Sequence, residues 1–119
     1  MRQVHPSFVQ GDSISSQVFS SQVFTPTEKD NNLLSTYNGD KFFADESFYH
    51  FENQGYKTSG VVAVKNEECQ NESLPVIEDN DPFDGHCSID YNGLTNNATK
   101  KKAKKLKKRA SDRGWLFHK

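Results

Sequence analysis

GVVAV, residues 60–64, is the stretch on which the fold turns. Its β-branched residues favour a pleated backbone. They follow one another without polar alternation, as in a strand covered on both faces. A central strand is therefore expected here, and no longer apolar run exists in the chain. That run is far short of the roughly 20 residues a membrane-spanning helix needs, so no membrane partner is expected.

Upstream, FADESFYHFENQ (43–54) reads as a helix. Asp45 and Glu46 lie near its start, where the helix dipole favours negative charge. Ala44, Phe48 and Phe51 share one face at spacings of four and three, and Gly55 fits the stop. Before it, LLSTY (33–37) is a short strand and Asn38-Gly39 a turn; TEKDNN (27–32) is a polar loop. Downstream, NEECQNES (66–73) suits one or two helical turns. PVIED (75–79) suits an edge strand led by proline, and NDPFDG (80–85) a turn. HCSIDY (86–91) alternates: Cys87, Ile89 and Tyr91 inward, with His86, Ser88 and Asp90 on a solvent face.

NATKKKAKKLKKRASDR (97–113) is a second helix, with Thr99, Ala103, Leu106 and Ala110 as a narrow apolar stripe. Gly114 ends it, and WLF (115–117) docks back on the body. The expected fold is α+β. It is a single domain with a mostly antiparallel or mixed sheet of four to five short strands and two helices, the C-terminal one amphipathic and lysine-rich.

At 119 residues the chain suffices for one domain. Only 33% of residues are apolar, but 9 Phe and 4 Tyr supply a core built on aromatics. The net charge of -1 conceals an asymmetry. Residues 1–99 carry five basic and fifteen acidic side chains, a net of -10, and residues 100–119 carry ten basic side chains against Asp112 alone, a net of +9. An acidic α+β body (1–95) thus precedes a basic helix and docking tail (96–119), a pattern that points to interaction more than to catalysis.

SSQVFSSQVF (15–24) writes one pentapeptide twice. With an odd repeat of five and a strand period of 2, both copies cannot present the same face on one strand unless the chain turns at Ser20-Ser21. The repeat reads as a tandem duplication without function. The alternative is a hairpin or bulged strand in which both copies pair. Exposed Val-Phe segments here leave room for a homo-oligomer through a strand edge.

The basic helix carries the main functional expectation. Lys100, Lys101, Lys104, Lys105, Lys107, Lys108, Arg109 and Arg113, with Lys102, repel one another and oppose the dipole in the first turn. Negative charge to offset them comes from the acidic body (Glu67, Glu68, Glu72, Glu78, Asp79, Asp81, Asp84 and Asp90), from an acidic protein partner, or from nucleic-acid phosphate. An acidic protein is favoured over nucleic acid: Arg, the usual base reader, is scarce and the body repels phosphate. Trp115, with Leu116 and Phe117, is the expected apolar anchor for that partner, and Tyr49 with His50 a further surface patch. The chain reads as a small accessory or adaptor protein. With no apolar leader in the first dozen residues and only Cys69 and Cys87, the expected setting is cytoplasmic and reducing.

An enzyme is the contrasting reading, with His86 as acid–base and Asp84 or Asp90 as its orienter. Residues 86, 88 and 90 lie roughly 6.6–7 Å apart along a strand, too far for a ready triad. No CxxC, HExxH, EF-hand or Gly-rich phosphate loop occurs, so no metal or cofactor is expected. Glu67, Glu68 and Glu72 around Cys69 are expected to raise its pKa.

Overall fold

The computed structural model describes residues 1–10 and 18–118, without the side chains of Gln10 and Val18. In chain order the elements are β1 (Arg2–Val4), β2 (Val9–Gln10), β3 (Val18–Phe19), β4 (Leu33–Tyr37), α1 (Ala44–Asn53), β5 (Gly60–Val62), α2 (Asn66–Asn71), β6 (Val76–Ile77), β7 (His86–Asp90), α3 (Asn96–Arg113) and β8 (Phe117–His118). Short 3-10 turns add Pro6–Phe8, Ser21–Phe24 and Glu28–Asp30.

The fold is α+β, as expected, with every strand pair antiparallel. The strands form two three-stranded sheets, β1-β5-β8 and β4-β7-β6, and one two-stranded ribbon, β2-β3. Four to five strands and two helices were too few: eight strands and three α-helices occur among the described residues. Four of those strands have only two residues, too short for a period to register. The lysine helix is not the last element either, because β8 follows it and pairs with β5.

β5 is the central strand of its sheet and wholly buried, as the apolar run implies. It is three residues long, and Ala63 and Val64 lie beyond it. Gly60 lets the tail approach: a Cβ there would stand 2.6 Å from the Phe117 carbonyl oxygen and 2.7 Å from Trp115 Cε3. α1 follows the expected face, burying Phe48 with Phe51 half-buried. Glu46 Oε1 accepts from the Phe43 N–H at 2.8 Å and holds its first turn.

Both copies of the pentapeptide have a place, and the places differ. The first copy ends in β3, which pairs with β2 (Val9 opposite Phe19); Ser15 to Gln17 lie outside the described residues. The chain turns at Ser20, whose hydroxyl accepts from the Gln22 N–H, and the second copy winds into the 3-10 turn Ser21–Phe24. Val23 and Phe24 are completely buried there, packed against α3. The second copy is therefore not a paired strand: its Val-Phe fills the core beneath α3.

One core joins the second copy, β4, β7, α2 and the inner stripe of α3. A second, aromatic cluster sits at the other end of β4. Tyr37 packs on Phe42 and Phe83, with ring centroids 5.0 and 4.9 Å away, and His50 lies 4.5 Å from Phe83. Gly85 serves this cluster: its φ is +94°, and a Cβ would fall 2.5 Å from the Phe42 ring.

Candidate functional site

α3 is stable for reasons that lie mostly on its inner side. The Thr95 hydroxyl accepts from the Ala98 N–H at 3.1 Å and caps the first turn. Gly114, at φ 84°, closes the last by donating to the Ala110 carbonyl. Ala103, Leu106 and Ala110 are buried, as the stripe predicts, and Thr99 is half-buried at its upper end.

The acidic body neutralises only one flank. Arg113 grips Glu68 with both terminal nitrogens, at 3.0 and 3.1 Å, and donates to the Ala63 carbonyl. The Lys105 ammonium lies 3.4 Å from Glu72, and Lys102 donates to the Glu72 carbonyl. Lys108 pairs along the helix with Asp112 at 3.2 Å. Of the other body carboxylates, Asp79 is held by His86 and Ser88, Asp84 by Lys41 and Asp90 by Asn92. Lys100, Lys101, Lys104, Lys107 and Arg109 have no ion pair among the described residues. All but the half-buried Lys107 are exposed. Shallow grooves of about 520 and 550 Å³ run either side of the Lys104–Lys108 ridge.

The tail docks on the body, as expected. Trp115 is half-buried with its ring 5.7 Å from Phe19, and Phe117 packs on Phe48 at 5.0 Å. Both rings are thus engaged within the chain, and Leu116 is the member of the trio most open to solvent. Tyr49 is exposed, with its ring against Phe48 and Phe117. His50 is half-buried, its Nδ1 2.8 Å from the Tyr37 hydroxyl. Burial pushes the Tyr37 phenol up to about 12.

His86 and Ser88 do not form a solvent face, since both are buried. β7 is flanked by β4 and β6. The β6–β7 register sets Val76 opposite Ile89 and Ile77 opposite Ser88, and its continuation brings Asp79 opposite His86. One Asp79 oxygen lies 2.6 Å from His86 Nδ1, and the other accepts from the Ser88 hydroxyl at 2.6 Å. Burial alone would raise the Asp79 pKa, but the hydrogen bonds from Ser88 and His86 outweigh it and hold the carboxyl below its usual range. The orienter of His86 is Asp79, not Asp84 or Asp90. A nucleophilic triad is not assembled, because Ser88 shares the carboxylate rather than presenting its hydroxyl to the imidazole. The signal was available: pairing PVIED with HCSIDY across the NDPFDG turn places Asp79 beside His86.

Both cysteines are free and buried. Burial, with Glu68 second, pushes the Cys69 thiol up to about 11, the direction expected for an inert thiol. Among the described residues no three His, Cys, Asp or Glu side chains gather as a metal site, and no helix is long and apolar enough to cross a membrane.

Compared with protein-family models, with curated proteins and with solved structures, the chain matches none of them.

Proposed function

We propose that this chain is a small cytoplasmic accessory protein that docks the outer face of α3 on an acidic surface of a protein partner. One observation carries the reading: the exposed face of a well-anchored helix holds Lys100, Lys101 and Lys104 with no ion pair among the described residues, although the body is acidic. Arg113, Lys105 and the buried stripe fix the helix, so its charges stand ready before any encounter. Charges arranged in this way raise association rates and select partners of opposite sign. Nucleic acid is disfavoured because the Trp115 ring is half-buried on Phe19 and does not stand free to stack on a base.

The test is a pull-down from the native host with and without nuclease, using the wild type and a Lys101→Glu/Lys104→Glu/Lys107→Glu variant. One protein should remain in near-stoichiometric amount after nuclease and be lost with the variant. An eluate that empties on digestion would transfer the same lysines to phosphate binding. A partner retained equally by both proteins would remove α3 from the interaction.

A further inference from the structure

A cavity of about 320 Å³ opens between β1, β4, the end of α1 and the β6–β7 turn, away from the basic face of α3. Its walls are chemically divided. Phe51, Tyr56 and Phe83 line an apolar side, with the Phe51 and Tyr56 rings stacked 5.0 Å apart at 29°. Arg2, Ser35 and His86 line the polar side.

Arg2 is the unusual member. Its Nε donates to the Val23 carbonyl and one terminal nitrogen to the Ser35 carbonyl, both at 2.9 Å. Both acceptors are neutral, and no carboxylate among the described residues forms an ion pair with Arg2. Asp30 shares the lining, but its carboxylate accepts from the Thr27 hydroxyl. Burial draws the Arg2 pKa down to about 10, against the smaller upward pull of Tyr91 and Asp30. A guanidinium has five N–H donors, and the two carbonyls account for two. The rest of the planar fork suits a carboxylate or phosphate. Polar groups converging beside an aromatic wall in a cavity of this size are the usual make-up of a small-molecule site.

We propose that this cavity binds a small molecule carrying one carboxylate or phosphate on a flat apolar body, the anion on Arg2 and the body against Phe51, Tyr56 and Phe83. The proposal does not depend on what α3 binds.

The test is an amide NMR titration of the full chain with benzoate and phenyl phosphate, and with benzamide and inorganic phosphate as controls. Benzoate, phenyl phosphate or both should shift the amides of Ser35, Thr36, Phe83 and His86 saturably in the millimolar range. Each control should bind at least about tenfold more weakly, as expected when the charged hydrogen bonds or the apolar contact is missing. Whichever anionic probe binds tighter identifies the headgroup. Arg2→Lys, which keeps the charge and loses the fork, should weaken binding several-fold. Arg2 also supports the Val23 carbonyl, so Ser35→Phe, at an exposed position on the lining, provides an independent block. No saturable shift with either anionic probe overturns the proposal. So does equal binding of benzamide, or binding that survives Ser35→Phe unchanged.

Discussion

Deleting one copy of the repeated pentapeptide should cost the contacts of the first copy and spare those of the second. Removal of residues 15–19 or of 20–24 yields the same chain, so one SSQVF must choose between two seats. In the 3-10 seat Val23 and Phe24 are fully buried against α3, and the Phe24 carbonyl accepts the Tyr91 hydroxyl at 2.6 Å. In the strand seat Phe19 packs on Trp115 and Phe24, and the ribbon with β2 contributes few hydrogen bonds. The 3-10 seat is the richer, and it remains within reach. Gln10 pairs with Val18, and the Ser20 N–H donates to the Phe8 carbonyl, so Gln10 and Ser20 are close. The four residues left between them can span more than 10 Å at about 3.3–3.6 Å each.

A buried Phe→Ala replacement costs about 3–5 kcal/mol, and a buried Val contributes about 1.5–3 kcal/mol. The deletion should therefore resemble Phe19→Ala, at about 3–5 kcal/mol, whereas Val23→Ala/Phe24→Ala should cost about 5–8 kcal/mol. With an unfolding entropy of about 2.1 cal/mol/K per residue, each kcal/mol lowers the Tm of this chain by about 4 °C. The deletion should lose about 12–20 °C and the double variant about 20–30 °C. Thermal unfolding by circular dichroism, with urea titration as a check, resolves that difference. A deletion variant as unstable as the double variant would show that the remaining copy does not shift seats. One that melts with the wild type would show that the strand seat contributes nothing.

Tyr91→Phe should cost about 1–2 kcal/mol, read by urea denaturation, because it leaves the buried Phe24 carbonyl without its donor; an unchanged midpoint would mean the carbonyl finds another. Gly60→Ala should destabilise by about 1–3 kcal/mol and alter the near-ultraviolet signal of Trp115, because the new methyl overlaps backbone as well as the indole; a melting temperature equal to wild type would refute the tight fit. Asp79 and Glu68 both sit below the ordinary carboxylate range: burial opposes this, and hydrogen bonds from Ser88 and His86, or from Arg113, overcome it. Their folded pKa values are depressed, so their stabilisation is present above the unfolded range near about 4 and fades as pH falls through the folded values. Asp79→Asn should therefore be less stable than wild type at neutral pH and lose less on acidification; parallel profiles of Tm against pH would contradict this.

What the sequence determined by itself is what neighbouring residues settle between them. The apolar run at 60–64 specified a central strand, of which Gly60–Val62 pair, Ala103, Leu106 and Ala110 the buried side of α3, and proline before Val76 an edge strand. Each depends on local geometry, a period or a missing N–H, that any environment must accept. Tertiary structure decided the rest, and the pentapeptide shows why. The Val-Phe of the first copy lies in a strand and that of the second in a 3-10 turn, because β2 offers one a ladder and α3 offers the other a hole, and no local propensity can separate identical residues. His86 is a similar case. Its alternation was legible, but whether the polar face met solvent depended on β6 and its turn bringing Asp79 across. Of the basic helix, the charge was legible from the start. Which lysines remained unpaired was not, because that follows from where Glu68 and Glu72 stand once α2 packs beside α3.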